Sequence, residues 1–180
     1  MDWTKSKNIM IIALLVTNLI IGLTYYSTIR EKRKEWAVQA QNTAVYLMEQ
    51  GIELDVEIPD EPRKMPVLFV RFEPSDPEVA EAPVYDGEIL VESTRTSLKV
   101  VPISRGENRR EIMSASHALL RYLAVAEQQD RKPAGIKGIE LIYLVDTAGY
   151  DREISEDTAI PAWKLSLGDG ETFYVNAYGE

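Results

Sequence analysis

His117 is the single histidine of the 180-residue chain, and there is no cysteine. Thiol catalysis, disulfide staples and cysteine-ligated metal sites are therefore excluded, and multi-histidine metal sites with them. His117 sits in the stretch ASHALL, in the middle of an amphipathic helical pattern. A histidine base needs a nucleophile in reach and a carboxylate to orient it, and no such arrangement is legible around it. The plain reading is a packed or surface residue. Gly168-Asp169-Gly170 lies between two alternating segments and lacks the strand-to-helix setting of a phosphate-cradling loop, so its glycines serve a turn. The 29 acidic residues mostly alternate along strand-like segments or fill loops, where solvation explains them. A catalytic carboxylate pair needs a concave apolar site to shift a pKa. The G-x-S-x-G, H-E-x-x-H and S-x-x-K patterns are absent. The expectation is a protein without catalytic, metal-binding or cofactor-binding residues.

The elements that would carry any other function begin at the N-terminus. Residues 9–26 (IMIIALLVTNLIIGLTYY) contain no charge. As a helix they span roughly 27 Å, near the thickness of a bilayer's hydrocarbon core. Tyr25 and Tyr26 stand at one end and Trp3 near the other, where amphipathic rings favour the headgroup region. No small-residue cleavage site follows, and the helical pattern runs on through EKRKEWAVQAQNTAVYLMEQ, which favours an uncleaved anchor over a signal peptide. The division expected is a short tail (1–8), a transmembrane anchor (9–26), a juxtamembrane helix (27–51) and a further domain (52–180).

Within the anchor, Ile11, Leu15, Asn18, Gly22 and Tyr25 recur at four- and three-residue spacing and share one helix face. A polar amide facing lipid is costly, and Gly22 would admit a close partner backbone. This face is the candidate helix–helix interface. Orientation is open on charge: two lysines precede the run and four basic residues follow it, which by the positive-inside rule favours a cytoplasmic C-terminal side. Beyond Lys34 the chain carries 27 acids against 14 bases. With a net charge of −9 overall, nucleic-acid binding is not expected.

Further on, 52–58 (IELDVEI) alternates as a half-buried strand, and 65–73 reads as a strand apolar on both faces. Seven acids and no base lie between Phe72 and Thr94, read as a solvated loop in preference to a docking surface or cation site. Segments 84–94 and 97–103 look like a strand pair. A helix is expected over 104–129, with Ser104 and Glu107 as a capping box. A strand at 139–146 and a hairpin at 160–178 complete the pattern. The fold class is α+β: one N-terminal transmembrane helix followed by a mainly antiparallel sheet with one packed helix.

The start, MDWTKSKNIMIIALLVTNLIIG, resembles the opening of the YycI (WalI) family, and the end, with Pro161-Ala162-Trp163 and Tyr174-Val175-Asn176-Ala177, resembles that family's closing hairpin. The helix–Gly–acidic segment AVYLMEQGIELDVEIP is compatible with the family's first extracytoplasmic unit. The resemblance implies a regulator without enzymatic activity, anchored in the plasma membrane of Gram-positive bacteria, N-terminus inside and domain outside. It further implies action with a YycH-like protein on the cell-wall sensor histidine kinase YycG (WalK). Two other classes stay open: a structural bitopic scaffold of the envelope or divisome, and a PepSY-like inhibitory module acting through the closing hairpin.

Overall fold

The computed structural model describes residues 3–59, 63–74, 83–94, 98–145 and 156–179. Helix α1 (Trp3–Glu49) is continuous over 47 residues, about 70 Å at 1.5 Å per residue. It ends at Gly51, whose φ of 74° is the left-handed conformation that glycine adopts most cheaply. Near its C-terminal end it is embedded in the domain: Thr43 and Leu47 are buried, and Leu47 is fully so.

The strands are β1 (Lys64–Met65), β2 (Leu68–Pro74), β3 (Val84–Asp86), β4 (Ile89–Ser93), β5 (Leu98–Arg105), β6 (Arg110–Glu111), β7 (Ile136–Val145), β8 (Glu156–Leu167) and β9 (Thr172–Asn176), with α2 (Ala115–Gln128) between β6 and β7. The main sheet runs β3-β4-β7-β8-β2-β5, with β9 also on β8; β1 and β6 form a separate two-stranded ribbon. Every pairing is antiparallel except β4 with β7. The chain is thus α+β, with one long apolar N-terminal helix and a mainly antiparallel domain carrying one further helix.

Strand β8 organises the sheet. One edge pairs with β7, while the other is shared by β2 (opposite Glu156–Ala159) and β9 (opposite Ala162–Ser166). Pro161, which has no N–H to give a ladder, falls between those two partners. The period-two pattern buries Ala159, Pro161, Trp163, Leu165 and Leu167 on the face that α2 covers with Ala115, Leu119, Tyr122 and Leu123. The aromatic groups anchor this layer by their polar ends. Trp163 Nε1 donates to the Met113 carbonyl at 3.0 Å, and Tyr143 donates to the Pro66 carbonyl at 3.1 Å.

Four expectations need correction. The helix expected from Ser104 begins at Ala115, capped by Ser114; residues 104–105 belong to β5 and 110–111 to β6. Gly106 is the physical reason: it donates to the Val67 carbonyl at 2.8 Å, and an added Cβ would come within 2.8 Å of Val67 Cγ2. Residues 52–58 alternate in burial as expected but form no ladder, only a parallel bridge of Leu54 to Ile136. Segment 84–94 is itself a hairpin turning at Gly87, φ 68°, and β5 pairs with β2 rather than with it. Strand β2 is interior to the sheet but buries only one face, since Phe69 is exposed. Of the acidic stretch, residues 75–82 lie outside the described residues. Asp86 pairs with Arg105 through two bonds of 2.7 and 3.0 Å, and Glu92 pairs with Lys164.

Candidate functional site: the exposed apolar helix and its junction with the domain

Ile11, Leu15, Asn18, Gly22 and Tyr25 all lie on α1, within one face of the helix at 100° per residue. All are exposed; the side chains of Ile11, Leu15 and Tyr25 are 45%, 61% and 69% accessible. A Cβ built on Gly22 meets nothing within 4 Å. The most apolar 18-residue window of the helix has a mean hydropathy of 2.1, and none of it is buried by the rest of the chain. That length and composition suffice to cross a bilayer.

Polar groups within the run differ in how they are satisfied. The Thr17 and Thr24 hydroxyls donate to the carbonyls of Ala13 and Ile20 four residues back, both at 2.9 Å. Such back-bonding lets a hydroxyl sit in apolar surroundings without a further partner. Asn18 makes no side-chain hydrogen bond among the described residues. Its amide carries two donors and an accepting oxygen, and in hydrocarbon these would need a partner from another chain.

The junction of α1 with the domain is built by three contacts of different kinds. Nearest the apolar run, Lys32 Nζ donates to Glu111 Oε1 on β6 at 2.8 Å. That bond and the charge behind it raise the Lys32 ammonium above its ordinary value, and the same bond holds the Glu111 carboxyl below the usual carboxylate range. Next comes a polar cluster: Ser114 Oγ donates to Gln39 Oε1 at 3.2 Å and lies 3.1 Å from His117 Nδ1, while Gln39 Nε2 is 3.4 Å from His117 Nε2. Last, Thr43 and Leu47 are buried in the core. Behind the ribbon, the Arg110 guanidinium stacks 4.7 Å from the Tyr178 ring centre.

His117 is therefore a junction residue. Its ring partners are an amide and a hydroxyl, and among the described residues no carboxylate orients it. Sequence reasoning missed Glu111, Gln39 and Ser114 as junction residues. Ser114, directly before the apolar period of Ala115–Leu123, carried a readable N-cap signal, whereas Gly106 and Asn108 argued against a helix starting at Ser104.

On the opposite face of the sheet Glu92 accepts from both Lys164 and the Tyr174 hydroxyl, the latter at 3.1 Å. Burial first, then the Glu92 charge, pushes the Tyr174 phenol up to about 12. Among the described residues no group of three or more histidine, aspartate or glutamate side chains is placed to hold a metal.

Comparison of the chain with family models, with curated proteins and with solved structures finds no match in any of the three.

Proposed function

We propose that this chain is a single-pass, membrane-anchored regulator without enzymatic activity, its N-terminus cytoplasmic and its domain outside the plasma membrane. The partners in this reading are a sensor histidine kinase of the YycG (WalK) type and a YycH-like protein, as the resemblance of the two chain ends implies. The observation that carries the reading is the wholly exposed, charge-free run on α1, continuous with a helix whose far end is embedded in the domain core. An apolar surface of that size is covered in the cell, and lipid with a partner helix covers all of it.

The mechanism follows from the unbroken helix. A regulator of this kind acts by binding two conformations of its kinase with different affinity. The face of Ile11, Leu15, Asn18, Gly22 and Tyr25 packs on a kinase transmembrane helix, with Asn18 hydrogen-bonding across the contact and Gly22 allowing close approach. The rest of α1, held by Lys32, Gln39 and Leu47, carries the state of the domain to that face.

Affinity capture of the full-length chain from mildly solubilised membranes tests the reading. A sensor kinase and a YycH-like protein are expected among the partners, and Asn18→Leu with Gly22→Leu should weaken kinase capture about tenfold. Recovery of wall-synthesis or division proteins without a kinase would favour a structural scaffold. Unchanged capture by the double variant would remove this face as the contact.

A further inference from the structure

The side of α1 turned away from the domain stays exposed from the apolar run to the end of the helix. At about 100° per residue, Val38 and Val45 stand roughly 140–180° round the axis from Thr43 and Leu47, which enter the core. Beyond the run, where water would meet it, this side still carries large apolar groups. Val38, Val45 and Met48 are 57%, 50% and 70% accessible. The side follows a repeat of seven: Thr24, Glu31, Val38 and Val45 recur at every seventh residue, and Ser27, Lys34, Gln41 and Met48 stand three residues after each. That is the spacing of the seam of a two-stranded coiled coil.

The bilayer and the charge pattern together select the occupant. Copies of this chain anchored in one orientation share one depth, so across a two-fold axis along the helix each residue meets its own counterpart. Val38, Val45 and Met48 are self-complementary in that register. Beside the seam, Arg30 and Glu35 are five residues apart, the separation that links the flanks of a parallel pair. Arg30 of each copy thus meets Glu35 of the other. The next flanking pairs, Ala37 with Asn42 and Ala44 with Glu49, bring no like charges together. Glu31 and Lys34 lie in the seam itself, where opposite signs alternate between the copies; such polar layers cost stability and fix register. Inside the bilayer the same side carries Ala13, Thr17 and Thr24, with Ser27 just beyond. The three hydroxyls are bonded to their own helix at 2.9 Å, so small side chains admit a close neighbour without needing a polar one.

We propose that α1 pairs with α1 of a second copy along this outer side, parallel and in register, with the two domains on the outside of the pair. The proposal rests on the reading of α1 as a membrane anchor and goes beyond the kinase contact. Asn18 is turned away from the seam, so pairing and the contact proposed for the Asn18 face do not compete.

The native chain has no cysteine, so single cysteines placed in the full-length protein report on pairing without interference. Val38→Cys and Val45→Cys lie in the seam; Arg33→Cys and Tyr46→Cys are exposed positions off it. All four replace exposed residues, so folding should be kept. On oxidation in membranes, the seam variants should give a product of twice the chain mass, about tenfold over the off-seam variants, because counterparts in the seam come within the range a disulfide spans. Adding Arg30→Glu should lower the Val45→Cys yield about fivefold, and Arg30→Glu with Glu35→Arg should restore it. Absence of seam cross-links, equal yields at all four positions, or a product joined to a different protein overturns the pairing. Failure of the charge-exchanged variant to recover overturns the parallel register. Extraction with alkaline carbonate is read first: release overturns the anchor and the pairing together, while retention without seam cross-links overturns the pairing alone and leaves the kinase reading standing.

Discussion

Lys32 and Glu111, 79 residues apart in sequence, meet at 2.8 Å where the long helix passes the β1–β6 ribbon. The ribbon has two residues in each strand and, among the described residues, pairs only with itself, so its sheet contacts do little to place it. The ion pair and the Arg110–Tyr178 stack tie it on its two sides, to the helix and to the C-terminal segment. The helix emerging from the apolar run is thereby held against the domain some 15 residues before its buried end at Leu47.

The pair should loosen with acid. Lys32 holds the Glu111 carboxyl below its ordinary value, so the contribution is complete at neutral pH and down to the ordinary carboxylate range. It is lost as pH falls further, through the lowered value at which Glu111 takes up a proton in the folded protein. Protection of the Arg110 and Glu111 amides, taken relative to their intrinsic exchange at each pH, should fall across that acidic window, and Glu111→Gln should show the lower protection already at neutral pH. Both side chains are nearly half exposed, so overall melting should shift little. Protection of these amides that ignores both acid and the substitution would show that the pair holds nothing.

Leu47 and Met48 are neighbours with opposite surroundings, 0% and 70% accessible. Leu47→Ala removes methyl groups from a closed core and should cost about 2–5 kcal/mol. Met48→Ala should stay within about 0.5 kcal/mol. Denaturant unfolding of the detergent-solubilised chain, followed by Trp163 fluorescence, measures both. Similar small effects would mean that the end of α1 is not part of the cooperative core.

What could be read from the sequence was what repeats locally. The charge-free run, the continuous helix through Leu47 and the hairpin around Gly168-Asp169-Gly170 all announce themselves within 20 residues, through period and turn chemistry. The misreadings share one cause. Whether Leu98–Arg105 pairs with the preceding hairpin or with Leu68–Pro74 depends on distant partners that no local pattern encodes. The helix start was misplaced because Ser104 and Glu107 mimic a cap, while Gly106 is needed for its close approach to Val67 on another segment. The junction residues Gln39, Glu111 and Ser114 are ordinary surface types that become specific only when segments about 75–79 residues apart come together.

Ser114 has two tasks at that junction. Its hydroxyl accepts from the His117 amide at 3.3 Å, capping α2, and donates to Gln39 on α1. Ser114→Ala should cost about 0.5–2 kcal/mol through the lost cap. Ser114→Asp can still cap but cannot donate to the Gln39 carbonyl oxygen, so it should recover helix stability without the link to α1. Global unfolding reads the first effect. Exchange of α1 amides near Gln39 reads the second. A Ser114→Asp variant that restores both would remove the link as a separate interaction.

Tyr174 offers a test in alkali. Burial is the larger cause of its raised phenol, with the Glu92 charge and hydrogen bond behind it. In an NMR titration with ring-labelled tyrosine, Tyr174 should remain protonated well past the ordinary value of about 10 and ionise near 12. Glu92→Gln removes the neighbouring charge but leaves the burial, so the value should fall part of the way and stay above ordinary. Because the native state holds this proton more tightly than the unfolded chain, its contribution is constant below about pH 10 and is lost as pH rises toward 12. Tyr174→Phe should therefore flatten the decline of stability across that window. A complete return to the ordinary value in Glu92→Gln would reverse the order of causes and make the carboxylate, not the sheet face around the ring, the dominant influence on Tyr174.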